Sequence, residues 1–266
     1  MLSVPNHTPY DLNFHLLGFP IRVTWTFWLM GAVLGWGWSQ GLDNFAMRVN
    51  IDSPGAAALL VIWIACVFLT ILIHEMGHAF AWRRYGQDAE IVLYHFGGLA
   101  VNRSMTAWDG GRRHRTTPME QLIVSAAGPA AQLLLAAIVW IVGLSIKMPM
   151  EATVWANQLG WNLPTGQMPG TIASYAFFDA LLWTSVFWAI LNLAPIFPLD
   201  GGQILHNILL MTNINRPQYT SYMVSAVAGG LLGVFLLSRG QPMAGIMFFM
   251  LAASNWQQAQ TSGGWY

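Results

Sequence analysis

The sequence predicts an all-α polytopic membrane protein of about six transmembrane helices, on three observations. Its 266 residues are 55% hydrophobic and only 8% charged, against roughly 25% charged in soluble domains. Stretches with few or no charges recur along the whole chain at about 20 residues each, the length that crosses a bilayer core as a helix. Aromatic residues are abundant, with 14 Trp and 14 Phe, as expected where amphipathic rings sit at both membrane interfaces.

Taken in order, the spans fall at 23–38, 56–80, 122–146, 172–194 and 223–237, with a marginal sixth at 243–253. The sixth is short for an upright helix, so it is either extended by its flanks or re-entrant. Pro5, His7, Asp11 and His15 precede the first apolar run without a basic start, so that run reads as a retained span and not as a cleaved leader. Residues 147–170 carry Pro149, Pro164 and Pro169 and read as a connecting loop. Residues 257–266 are polar and read as a flexible tail. No internal repeat is evident, and the whole of 1–266 is expected to form a single transmembrane domain.

Orientation follows from the basic residues. Arg83, Arg84, Arg103, Arg112, Arg113 and Arg115 all fall between the second and third spans, whereas Arg48 and Lys147 lie in the opposite loops. The positive-inside rule makes the arginine-rich loop cytoplasmic, and with six spans both termini as well. The formal net charge is zero, so the arginines read as topogenic and no nucleic-acid partner is indicated. The single cysteine, Cys66, allows no intramolecular disulfide and no cysteine-rich metal site; it reads as a packing thiol.

Candidate chemistry sits at the end of the second span. Residues 56–73 (AAALLVIWIACVFLTILI) carry no charge and lead directly into His74-Glu75-Met76-Gly77-His78. In a helix the two histidines lie one turn apart on one face and can reach one metal ion. Glu75 is then placed to take a proton from a water that the metal acidifies. A chance match is improbable in a chain with seven His and four Glu, and ionisable groups in a membrane segment are expensive, so they are functional by default.

Two histidines leave such a site short of a ligand. The fourth span ends in Asn192-Leu193-Ala194-Pro195-Ile196-Phe197-Pro198-Leu199-Asp200-Gly201-Gly202, where two prolines break the helix and a glycine pair permits close backbone approach. Asp200 is the candidate third ligand; its competing role is to cap the helix that follows. In the expected topology the second and fourth spans both run inward, so both ligand sets reach the membrane at cytoplasmic depth.

HEMGH in a membrane helix followed by a distant NLAPIFPLDGG resembles the site-2 protease family of intramembrane zinc metalloproteases, whose signatures are HExxH and NxxPxxPLDG. The resemblance implies that His74, His78 and Asp200 hold Zn²⁺, that Glu75 is the general base, and that Asn192 donates to the developing oxyanion. It extends to Tyr94-His95-Phe96-Gly97-Gly98-Leu99-Ala100, which looks like the family's membrane-associated strand or re-entrant segment between helices 2 and 3. Gly97, Gly98 and Leu99 would there pair with an unwound substrate. Ser125-Ala126-Ala127-Gly128-Pro129 looks like the family's small-residue helix motif.

Two positions depart from the pattern: Gln203 follows LDGG where many members have Arg, and Gln132 stands four after Gly128 where Asn or a small residue is usual. Neither removes a ligand. The chain looks like a minimal member, without the PDZ insert of some relatives. The expected activity is hydrolysis of a peptide bond in or near a transmembrane segment of a membrane-protein substrate, in the bilayer of a bacterial cytoplasmic membrane, with the active site near the cytoplasmic face and the oligomeric state open. The alternatives are a membrane metal transporter and a non-proteolytic metal-binding membrane protein; a transporter would spread ionisable residues along several spans, whereas here they gather at one depth. His95, His114, His206 and Asp179 are not expected to be ligands.

Overall fold

The computed structural model describes residues 5–95, 97–102, 116–167, 169–212 and 214–262. Among them, helices dominate, accompanied by one four-stranded sheet in the order β1-β2-β3-β4. The chain divides into two compact units, one of residues 4–106 and 130–188 and another of 1–3, 107–129 and 189–266.

The larger unit opens with a hairpin, β1 (Leu12–Leu16) and β2 (Phe19–Val23). Leu16 pairs with Phe19, leaving Leu17 and Gly18 as a two-residue turn with φ of 51° and 83°. Positive φ at both turn positions matches the twist of the flanking strands, which is why a glycine stands there. β2 then pairs in parallel with β3 (Ala89–Tyr94), which pairs antiparallel with β4 (Gly97–Asn102). The segment resembling a family strand is therefore a hairpin, but it belongs to a larger sheet, and the fold is not purely helical. Alternation of Leu12, Phe14 and Leu16 with Asn13 and His15 is the period-2 signal that marks β1. Val23 ends β2 and does not start the first long helix.

Two arginines fasten the hairpin. Arg83 stacks its guanidinium 3.5 Å from the Phe19 ring centre and donates to the Leu17 carbonyl at 2.9 Å. Arg22, buried within β2, donates to Asp11 Oδ2 at 3.2 Å and to the Pro5 carbonyl at 2.9 Å. Asp11 also accepts from the Thr8 amide and hydroxyl. Burial alone would raise the Asp11 carboxyl, but the bonds from Thr8 and then Arg22 hold it below its ordinary 3.8.

The parallel crossover from β2 to β3 is made by α1 (Trp25–Arg48) and α2 (Ala56–Arg84). Gly31, Gly35 and Ser39 recur at four-residue spacing and are buried, a small-residue face that lets helices approach closely where lipid offers no hydrophobic drive. The Trp63 indole occupies the space a side chain at Gly35 would need. At 29 residues, α2 is about 43 Å long, more than a bilayer core of about 30 Å. Its last turns, with Arg83 and Arg84, thus extend beyond the apolar stretch to reach the sheet.

α3 (Pro118–Ser145), α4 (Glu151–Gln158) and α5 (Ile172–Asn192) follow. Cys66 lies in a buried cluster with Ala136, Val139, Met148, Met150 and Leu181, and its thiol is 3.6 Å from the Phe177 carbonyl, which bears out a packing role. One turn before His74, the Thr70 hydroxyl meets those of Thr184 and Ser185 at 3.1 and 3.3 Å, so each buried hydroxyl has a partner. The loop expected at 147–170 contains α4, held by a bond from Trp140 Nε1 to Thr153 Oγ1 of 3.1 Å.

In the other unit, α6 (Asp200–Met211), α7 (Pro217–Ser238) and α8 (Pro242–Ser262) complete the chain. Gly233 on α7 lies against Gly245 and Phe249 on α8. α8 extends the marginal sixth segment on both sides, and residues 257–262 of the expected tail form its last turns, with Ala259 buried. Among the described residues four helices, α2, α3, α5 and α7, are long and apolar enough to cross a membrane. α1 and α8 are as long but carry polar residues such as Asp43, Asn44, Gln257 and Gln258.

The Asp11 carboxyl ionises more readily folded than unfolded, so its contribution is present above the ordinary carboxylate range and is lost as pH falls through the depressed folded value. We expect Asp11→Asn to lower the melting temperature at pH 7 by roughly 2–6 °C, with the gap to wild type closing below pH 3.8. Melting curves of both proteins between pH 7 and 3 check this; a gap independent of pH refutes it.

Candidate metal centre

His74, Glu75 and His78 lie on α2 where the helix leaves its uncharged stretch, and all are buried, at 3%, 5% and 7% exposure. The helical repeat puts the imidazoles on one face, and their Nε2 atoms stand 3.1 Å apart, with the rings edge to face at 80°. A tetrahedral ion about 2.0 Å from each nitrogen would space its ligands by roughly 3.3 Å. The pair therefore fits a shared divalent ion with little adjustment.

The tautomer also fits. His74 Nδ1 lies 3.0 Å from Gln132 Oε1 on α3. An amide oxygen only accepts, so Nδ1 carries the proton and Nε2 keeps its lone pair toward His78. Gln132 was legible in the sequence only as a departure from the family pattern; its contact with His74 is a tertiary fact that no local motif announces.

The sheet supplies the opposite wall. β4 runs beside Glu75 so closely that a side chain at Gly98 would overlap the Glu75 carboxyl group. Gly98 pairs with Leu93, and Gly97 with Tyr94 across the β3–β4 turn. Gly97 has φ of 124° and lies against the Trp188 ring, 2.9 Å from where a Cβ would be. Both glycines are thus required locally, one by approach to the carboxylate and the other by backbone conformation. Leu99, the third residue of this segment, pairs with Val92 and is half-buried. Burial, and next the negative charge of Glu75, push the Tyr94 phenol above its ordinary 10.

Asp200 is described within its own unit. It is the first residue of α6 and half-buried, with Leu199 extended before it at the N-cap. The 193–199 bend is fixed from two sides, because the Phe197 amide donates to Ser225 Oγ at 3.1 Å and Asn255 Nδ2 donates to the Phe197 carbonyl at 2.8 Å. Gly201 and Gly202 press on the backbone of Leu193, Ala194 and Ile196, so the LDGG turn closes on the helix end before it. Asn192 is the last residue of α5, half-buried.

His95 and His206 have other partners. His95 Nδ1 is 3.3 Å from Thr26 Oγ1, and His206 Nδ1 is 3.0 Å from Ser221 Oγ. Asp179 accepts from the Tyr175 hydroxyl at 3.5 Å. His114 lies outside the described residues.

The model of peptidase family M50 matches residues 62–237, a stretch that includes both HEMGH and LDGG. A Synechocystis protein named as a zinc metalloprotease is 25% identical over 242 residues, covering 91% of this chain and 54% of its own length. A zinc metalloprotease of Methanocaldococcus jannaschii is 24% identical over 198 residues, covering 74% of this chain and 44% of its own length. The chain thus spans about half the length of these curated relatives. The fold is similar to that of the site-2 protease from Methanocaldococcus jannaschii, with a TM-score of 0.50, 19% identity and 97% of both chains covered. An apolar helix bearing paired imidazoles, a matching family profile across two thirds of the sequence and a shared fold lead to one assignment: the chain belongs to peptidase family M50, the site-2 protease family.

Proposed function

We propose that this protein is an intramembrane zinc metalloendopeptidase that hydrolyses a peptide bond in or near a transmembrane segment of another membrane protein. The observation that carries this reading is the buried convergence of the His74 and His78 Nε2 atoms on a membrane-length helix with Glu75 between them. Asp200 is proposed as the third ligand, supported by its place in the LDGG turn and by the match of that turn to the family signature. A zinc ion held there would polarise the scissile carbonyl and acidify the attacking water.

The residues of the chain do the rest. The Glu75 carboxylate takes a proton from the water as its oxygen adds to the carbonyl carbon, and returns a proton to the amine as the C–N bond breaks. Asn192 is the proposed hydrogen-bond donor to the carbonyl oxygen as it gains negative charge. A helical substrate keeps its carbonyls in internal bonds, and exposing them to lipid costs several kcal/mol each. Gly97, Gly98 and Leu99 of β4 are proposed to offer replacement partners by adding the unwound substrate as a strand. We propose six crossings, counting α1 and α8, in a bacterial cytoplasmic membrane with the site toward the cytoplasm; the arginine bias of the loop after α2 supports this orientation.

Reconstitution in vesicles with a transmembrane substrate and a chelator control tests the activity. Glu75→Gln is expected to keep zinc and lose turnover by about 10²–10⁴-fold; turnover equal to wild type rejects its role as base. His74→Ala or Asp200→Ala is expected to abolish stoichiometric zinc, measured by elemental analysis, and either variant that retains it is struck from the ligand set. Gly98→Val should cost about 100-fold in cleavage by shifting the Glu75 carboxyl, with zinc content unchanged. Gly97→Ala should cost about 1–3 kcal/mol of stability from backbone strain, read as a lowered melting temperature; unaltered melting refutes it.

A further inference from the structure

We infer that Gln132 is a positioning residue for the metal centre, fixing the His74 imidazole in the tautomer that leaves Nε2 to bind the ion. The inference rests on the metallopeptidase reading above. It starts from the geometry: Oε1 of Gln132 is 3.0 Å from Nδ1 of His74, and the glutamine is fully buried at 0% exposure. With the oxygen toward the ring, Nδ1 can only donate. The bond thereby sets both which nitrogen is protonated and the rotation of the ring about its own axis.

The cost of keeping this amide argues against simple space filling. Gln132 Nε2 is buried without a hydrogen-bond partner, and an unsatisfied buried donor is expensive. A leucine or methionine of similar volume would fill α3 at that position with no such penalty. The neighbouring buried hydroxyls of Thr70, Thr184 and Ser185 pair with one another, whereas the Gln132 amide nitrogen finds no partner. Gln132 retains one bond, and it is the bond to a candidate ligand. Partners of this kind raise the basicity of a ligating imidazole and commonly account for 10–100-fold in metal affinity.

The test measures zinc affinity of the full-length detergent-solubilised protein by competition with a chromophoric chelator, beside the melting temperature of the metal-free form. Gln132→Leu, which keeps volume and removes the acceptor, should weaken zinc binding by about 10–100-fold with little change in metal-free melting. Gln132→Glu restores an acceptor and should return affinity to near the wild-type value. Nitrogen NMR of the zinc-loaded wild type, labelled at histidine, should show His74 protonated at Nδ1 and metallated at Nε2, a readout that needs no variant to fold. Wild-type affinity in Gln132→Leu, or metal on Nδ1 of His74, overturns the inference while leaving the metallopeptidase reading intact. Failure of the wild type to bind zinc at all overturns both.

Discussion

The meeting of two buried imidazoles on a membrane-length helix governs how the rest of this unit is built. A buried imidazole nitrogen left without a hydrogen bond or an ion is costly, because low-dielectric surroundings offer it nothing else. His74 has Gln132 at one nitrogen and His78 at the other. α3 supplies the amide, α2 supplies both rings at the spacing a helix dictates, and the sheet closes over the carboxylate between them. Each element can be understood by what it must present to those few atoms.

The surrounding packing follows membrane logic more than aqueous logic. Where lipid competes equally for every apolar surface, helices associate through close approach and matched polar groups. Gly31, Gly35 and Ser39 serve the first purpose on α1, and the Thr70, Thr184 and Ser185 hydroxyls serve the second between α2 and α5. In the second unit, Gly233 and Gly245 bring α7 and α8 together in the same way. Many large apolar side chains, such as Leu34, Val61, Leu134 and Leu231, are exposed, as befits helices whose solvent is hydrocarbon.

Much of this was legible in the sequence, and the reasons differ by element. The apolar spans and HEMGH were readable because helix period and charge exclusion are local properties, carried by consecutive residues of α2. The β1–β2 hairpin was missed because Leu12 to Val23 is short, mixed in polarity and adjacent to a long apolar run that invites a helix; its alternation was present but outweighed. α4 was hidden by the prolines and glycines around it. Gln132 could be noticed but not interpreted, since its partner lies 58 positions away and the meaning of a residue in a tertiary contact is not written beside it. Gly98 reads from the sequence as a residue that pairs with substrate, and its approach to Glu75 is a tertiary contact the sequence does not announce.

That approach has a mechanical consequence. With no side chain between β4 and the carboxylate, the strand and the acidic group have no compliant layer separating them. A displacement of the sheet toward α2 must be met by movement of the Glu75 side chain, and a rotation of Glu75 toward the strand meets backbone. The hairpin's grip on the end of α2 through Arg83 closes this circuit, since the same helix carries Glu75 and anchors the far edge of the sheet. Sheet and helix are therefore joined at two places, at the outer hairpin through Arg83 and at β4 through the contact of Gly98 with Glu75.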